Sequence, residues 1–206
     1  MIEVYIVRHA ESEGNVQKHL KGGRQNHLRL TARGVEQAQQ LANALQTVSF
    51  AHAFCSPAHR AHTTCEIILS THTTPISVRE CLVERTHGIA EGRLRSEVEE
   101  PFLRAKKVKN MHFSYEGGES TYDVLSRVAP FISELEHMNT SENKKILCVS
   151  HSYTIRALLF CMFGSDAFIF RSIKGNTAVT KVFYDGEHWF LEYFNNEAHL
   201  TPNVSL

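Results

Sequence analysis

Two apolar runs in this chain each stop at a histidine. Ile2-Glu3-Val4-Tyr5-Ile6-Val7 passes into Arg8-His9, and Lys145-Ile146-Leu147-Cys148-Val149 passes into Ser150-His151. Short runs rich in Ile and Val predict buried strands. Helical patterns separate the strands. Val35, Ala38, Leu41, Ala42 and Leu45 recur at helical spacing, and Val124, Leu125, Val128, Phe131, Ile132 and Leu135 form the strongest amphipathic stripe. Further strands are expected over 51–55 and 76–78, and further helices from Pro57, over 95–109 and over 152–161. Ser56 is the expected N-cap before Pro57. Asp185-Gly186, between apolar stretches 178–184 and 188–194, predicts a hairpin turn. Strand–helix repetition closed by a hairpin implies a three-layer α/β/α fold with a mostly parallel central sheet. The segment 93–118 is polar and irregular and is expected to form a lid on one domain spanning 1–200. A frayed tail, 201–206, follows.

Composition narrows the classes of function. The 206 residues carry 22 Lys plus Arg and 22 Asp plus Glu, so no basic excess points to nucleic acid. A neutral protein can still hold a basic pocket. No apolar run approaches the roughly 20 residues that span a bilayer, and the start lacks a signal-peptide pattern. The five cysteines form no C-x-x-C pair, which fits reduced thiols and a cytoplasmic location. Neither membrane nor nucleic acid is expected as a partner, and the chain is expected to be a monomer or homodimer.

Ligands of parallel sheets bind beyond the carboxyl ends of the strands. Those ends read Arg8-His9-Ala10-Glu11-Ser12, Cys55-Ser56-Pro57-Ala58-His59-Arg60 and Ser150-His151-Ser152. A single histidine after a strand is ordinarily a hydrogen-bonded surface residue. Two arginines and two histidines on one rim are a different matter. Arginine forks match phosphate oxygens, and a neutral imidazole can act as nucleophile or base. The helix starts after Ser56 and Ser150 are expected to add N–H donors for the same anion. No acidic cluster suggests a magnesium site, so the arginines would supply the charge stabilisation. His59 and His62 are three residues apart, but no third ligand has zinc spacing, so no metal and no cofactor are expected.

These segments resemble the signatures of the histidine phosphatase superfamily, in its phosphoglycerate-mutase-like branch. Arg8-His9-Ala10-Glu11-Ser12-Glu13-Gly14-Asn15 is similar to R-H-G-E-[ST]-x-x-N, and Leu30-Thr31-Ala32-Arg33-Gly34 to L-T-x-x-G. Ser56 to Thr64 carries S-x-x-x-R-[AT]-x-x-T. Leu82-Val83-Glu84-Arg85-Thr86-His87-Gly88, with Glu91-Gly92, carries L-x-E-x-x-x-G-x-x-E-G. Ser150-His151-Ser152, with Ile155-Arg156, is similar to S-H-G-x-x-I-R. The resemblance covers almost the whole chain. It implies that His9 attacks phosphorus and becomes a phosphohistidine. Arg8, Arg60 and His151 would hold the phosphoryl oxygens, and Asn15 would donate to phosphate. Glu84 would give a proton to the leaving oxygen and then take one from water. The implied activity is that of a histidine acid-type phosphatase, a phosphoric monoester hydrolase.

The sequence departs from the pattern in three places. Ala10 and Ser152 stand where the signatures carry Gly, which would matter if either backbone needed a positive φ. Ser152 could instead donate a bond to phosphate. Lys21-Gly22-Gly23-Arg24 lacks the G-W-x-D of the mutases, and no Trp precedes Asn15, which favours phosphatase over mutase. Lys21, Gly22 and Gly23 are nonetheless expected to touch substrate. Lys18, Lys21 and Arg24 on one segment, and Arg104, Lys106, Lys107 and Lys109 on the lid, would form a basic rim. Such a rim would select a small phosphorylated metabolite with a second anion, such as a sugar bisphosphate. A mutase on the same site, or a silent phosphate-binding module, are the alternatives.

Overall fold

The structure is a computed structural model that describes residues 1–17, 19–23, 25–139, 142–165, 173 and 175–200. Six strands form one sheet: β1 (Ile2–Arg8), β2 (His52–Cys55), β3 (Ile76–Val78), β4 (Lys144–Ser150), β5 (Val179–Tyr184) and β6 (Trp189–Asn196). Their order is β3-β2-β4-β1-β5-β6. β1, β2, β3 and β4 run parallel, and β5 and β6 complete the sheet as an antiparallel hairpin. The helices are α1 (Glu13–Val16), α2 (Ala32–Leu45), α3 (His59–Ile68), α4 (Arg95–Lys107), α5 (Thr121–His137) and α6 (Ser152–Phe163). The expected mixed fold, with its mostly parallel sheet and terminal hairpin, is the fold observed.

Alternation along the strands builds the layers. Side chains on a strand alternate between the two faces. Val4 and Ile6 of β1, with Ile146 and Cys148 of β4, face α5 and α6, where they meet Val128, Leu135, Ile155 and Leu158. Tyr5 and Val7, with Leu147 and Val149, face α2 and α3, where they meet Leu41, Leu45, Ala61 and Ile68. Both faces are buried, so the central strands read as continuous apolar runs. Each fully buried Leu or Ile contributes about 1.5–3 kcal/mol.

The helix ends follow their residues. Thr31 caps α2 by accepting from the Gly34 N–H at 3.0 Å, and Ser120 with Asp123 closes a capping box on α5. Gly34 is required by contact rather than by φ. A Cβ there would lie 1.9 Å from the Glu11 carbonyl oxygen, so only glycine lets α2 press against the loop after β1. α3 departs from expectation. It begins at His59 with Ala58 as N-cap, not at Pro57 after Ser56. The Ser56 hydroxyl does accept from the Ala58 N–H, but it also faces a histidine in the site. The expected tail, 201–206, lies outside the described residues. Among the described residues no helix is long and apolar enough to cross a membrane.

Candidate active site

A cavity of about 480 Å³ opens over the carboxyl ends of β1, β2 and β4. Arg8, His9, Asn15, Lys21, Arg60, Glu84 and Ser152 line it. The topology accounts for the convergence. β4 lies between β1 and β2 in parallel register, so Arg8 pairs with Ser150 and Cys55 with Val149. The residues that follow each strand must therefore leave on the same rim.

His9 is 5% exposed, and its Nδ1 lies 2.7 Å from the Ala10 carbonyl oxygen. A carbonyl only accepts, so Nδ1 carries the hydrogen and Nε2 keeps a free lone pair. Burial, then the charges of Arg60 and Arg8, hold the imidazole well below its usual pKa, so it is neutral. The Ala10 N–H donates to Thr64 Oγ1 at 3.0 Å, and that hydroxyl donates to the Arg60 carbonyl at 2.6 Å. Thr64 thus ties the turn carrying His9 to the helix carrying Arg60.

His151 is fully buried, and its ring centroid lies 5.0 Å from that of His9. Its Nε2 sits 2.8 Å from Ser56 Oγ, while its Nδ1 has no hydrogen-bond partner among the described residues. Burial is again the main cause of a strongly lowered pKa, with Arg60, His9 and Arg8 adding to it. Arg60 is 4% exposed and donates from Nη1 to the Gln25 carbonyl at 2.8 Å. Burial lowers the pKa values of Arg8 and Arg60, and Glu84 opposes the shift in both. The guanidiniums remain cations at any working pH.

Glu84 enters from the turn after β3. Gly88 (φ +55°) and Gly92 (φ +81°) shape that turn, and Glu91 clamps it by accepting from Thr86 Oγ1 and the His87 N–H. Glu84 Oε1 accepts from the N–H groups of Arg85 at 2.8 Å and Thr154 at 3.3 Å, and Oε2 from Tyr153 at 3.2 Å. The second and third N–H groups of α6 are therefore taken by Glu84. This narrows the expectation that the helix starts after Ser56 and Ser150 would bind phosphate. The first N–H of α3 is spent as well, on the Asn26 carbonyl.

The other expected residues divide. Asn15 Oδ1 accepts from the Ser12 N–H and hydroxyl, which leaves its amide hydrogens to donate. Ser152 Oγ donates to the Ile173 carbonyl at 3.2 Å. Neither Ala10 nor Ser152 has a positive φ, so glycine is not conformationally required at either place. Gly22 and Gly23 do not line the cavity. They pack on backbone, where a Cβ would lie 2.8 Å from the Arg85 carbonyl oxygen and 2.5 Å from that of Glu84. Lys18 and Arg24 lie outside the described residues. On α4, Lys106 lines the cavity, whereas Arg104 pairs with Glu100, and Lys107, like Lys109 just past the helix, stands away from the lining. Sequence reading gave no role to three cavity residues, Arg95, Arg156 and His87. Arg156 stacks over Tyr153 with its carbon 4.5 Å from the ring centroid. His87 is pushed down to about 3 by burial and by Arg85, Arg95 and Arg156. Their charge was legible, but not the side to which α4, α6 and the Glu84 turn present it. Away from the cavity, His59 sits beside Thr63 and His62 pairs with Glu66. Among the described residues no group of three His, Cys, Asp or Glu side chains is placed to hold a metal ion.

A buried arginine, a half-buried one and two neutral imidazoles gathered at one cavity suit the uptake of a tetrahedral oxyanion. The family follows from comparison. The model of the histidine phosphatase superfamily (branch 1) matches residues 4–197, and the chain belongs to that superfamily of phosphoryl-transfer enzymes. It is 28% identical to a Proteus mirabilis protein described as probable phosphoglycerate mutase GpmB, over 98% of this chain and 96% of the relative. Among solved structures, the alpha-ribazole phosphatase of Shigella flexneri superposes with a TM-score of 0.82 at 27% identity, covering 95% of this chain and 97% of that one. A phosphoserine phosphatase of Entamoeba histolytica, solved with 3-phosphoglyceric acid, shares the fold at TM-score 0.83 and 24% identity, over 98% of this chain and all of the other.

Proposed function

We propose that the protein is a phosphomonoesterase of the histidine acid-type class, working through a phosphohistidine at His9 without a metal. One observation carries the reading. The bond from Nδ1 to the Ala10 carbonyl leaves Nε2 of a neutral imidazole as a nucleophile between Arg8, Arg60 and His151. Nε2 attacks phosphorus in line, a P–N bond forms, and the ester P–O bond breaks. Glu84 gives its proton to the leaving oxygen. The Oε2 atom is the natural carrier, because it accepts one backbone N–H where Oε1 accepts two. Water then attacks the phosphohistidine, Glu84 takes the water's proton, and phosphate leaves with His9 restored. Arg8, Arg60, Asn15 and the free Nδ1 of His151 bear on the charge gathering on the phosphoryl oxygens.

The cavity lining supports a reading of the substrate class. Beyond His9 its wall carries Lys21, Arg95 and Lys106 against Glu99. A phosphate dianion does not balance those cations, so the reading is a small metabolite with a second anionic group. Segment 93–118 serves as the cover of a single phosphatase domain over 1–200. The test is phosphate release from an aryl phosphate in chelator, with wild type and His9→Ala. Chelator-resistant turnover lost in the variant supports the reading. Turnover only as isomerisation of a phosphoglycerate, dependent on a bisphosphoglycerate primer, would favour the mutase reading that the Proteus relative suggests.

A further inference from the structure

The loop before β5 contacts the catalytic turn from the far end of the sequence. Asn176 Nδ2 donates to the His9 carbonyl at 2.9 Å and to Asn15 Oδ1 at 3.4 Å. One amide nitrogen, with its two hydrogens, thereby joins the residue carrying the nucleophile to a residue of the phosphate pocket. The next residue is held in an unusual conformation. Thr177 is fully buried and has φ +59°, in the left-handed region that a β-branched side chain rarely enters. Its N–H donates to the Arg8 carbonyl at 3.0 Å. Its hydroxyl donates to the Asn176 carbonyl at 2.6 Å, so it can only accept from His199 Nε2, 2.9 Å away. Strained backbone persists where surrounding contacts over-determine it, and such places cluster at functional sites.

We infer that Asn176 is a positioning residue for the nucleophile, aimed by the left-handed Thr177 and latched by His199 near the end of the chain. Without it the His9 carbonyl and Asn15 Oδ1 lose a shared donor. The peptide that sets the direction of His9 Nε2 is then tied by the Ala10 N–H to Thr64 Oγ1 at 3.0 Å and by the His9 N–H, which donates to the Ser150 carbonyl at 2.9 Å, with its own carbonyl oxygen left without the Asn176 donor. The inference rests on the phosphohistidine reading above.

The experiment compares wild type, Asn176→Ala and Asn176→Asp on an aryl phosphate, with inorganic phosphate as a competitive inhibitor. In Asn176→Ala, kcat should fall about tenfold or more while the inhibition constant of phosphate moves less than about threefold. In Asn176→Asp the loss should be larger at neutral pH, since a carboxylate would face two acceptor oxygens. The ratio of its kcat to that of wild type should climb as pH falls from about 7 to 5, because the protonated carboxyl regains a donor. A flat ratio, or kcat for Asn176→Ala within about twofold of wild type, overturns the inference. Should Asn176→Ala not fold, Thr177→Gly is the second variant. It tolerates the backbone but drops both hydroxyl bonds, and unchanged kcat in it overturns the latch. His9→Ala in the same assay separates the two claims. Turnover that survives His9→Ala overturns the mechanism itself. Turnover that needs His9 but ignores Asn176 overturns the clamp alone.

Discussion

Ser56→Ala isolates the tautomer of His151. Ser56 Oγ accepts the Ala58 N–H at 3.2 Å and lies 2.8 Å from His151 Nε2, and both residues are fully buried. The proposed mechanism requires the hydroxyl hydrogen to be directed at Nε2, which places the imidazole hydrogen on Nδ1. That nitrogen has no partner among the described residues, and in the proposed mechanism it is the donor to a phosphoryl oxygen. Alanine removes the acceptor for Ala58 and the donor to Nε2 without removing any group that touches substrate. A buried polar group left unsatisfied costs about 1–3 kcal/mol. For a chain of this size that corresponds to a melting point lower by roughly 2–12 °C. The catalytic loss has two sources. The His151 hydrogen can then occupy the wrong nitrogen, and the ring can turn. Together these should lower kcat about 10- to 100-fold. Vanadate, which imitates the transferring phosphoryl group, should bind correspondingly more weakly than to wild type. Thermal denaturation, aryl phosphate kinetics and vanadate inhibition measure the three effects. A folded Ser56→Ala protein with kcat and vanadate affinity within about twofold of wild type would refute the tautomer argument.

Three further outcomes are expected. His9, His151 and His87 all have pKa values depressed in the folded state, His87 to about 3, so they stay neutral while the unfolded chain gains protons. Their contribution to stability is complete above about pH 6.5 and is lost as pH falls toward the folded values, with up to about 1.4 kcal/mol per pH unit for each group. Urea denaturation between pH 8 and 4 checks this, and His87→Gln should flatten the slope. Inorganic phosphate should raise the melting point, because it neutralises Arg8 and Arg60 in the folded state only. At 100 times its dissociation constant the gain is about 2.7 kcal/mol, and Arg60→Met should abolish most of it. Ala10→Gly and Ser152→Gly should leave kcat within about threefold of wild type, since neither position has a positive φ. A large gain in rate in either variant would show that the Cβ atoms obstruct phosphate.

Much of the fold and site was legible because the informative residues directly follow strands. Arg8-His9 and Ser150-His151 could be placed on one rim from strand signals alone, and parallel pairing of β1 with β4 did the rest. What stayed hidden depends on partners remote in sequence. Ser56 looked like an N-cap before Pro57, but its oxygen is shared with His151, 95 residues away, and α3 starts two residues later than Pro57 suggested. Asn176 reaches His9 across 167 residues, and no local pattern marks it. The start of α6 was the most instructive miss. A helix N-terminus attracts anions, so phosphate was the natural guest. In the fold a carboxylate of the chain itself takes the place, because Glu84 arrives on a turn that the Glu91 contacts hold against α6. The consequence bears on chemistry. In the proposed mechanism, with two N–H groups at the start of α6 given to Glu84, the charge of the transferring phosphoryl group falls to Arg8, Arg60 and the Nδ1 hydrogen of His151. Guanidiniums do not titrate in the working range, so the acid–base step and the oxyanion step are carried by separate groups. Glu84 can then change protonation within a turnover while the charge that faces phosphate stays constant.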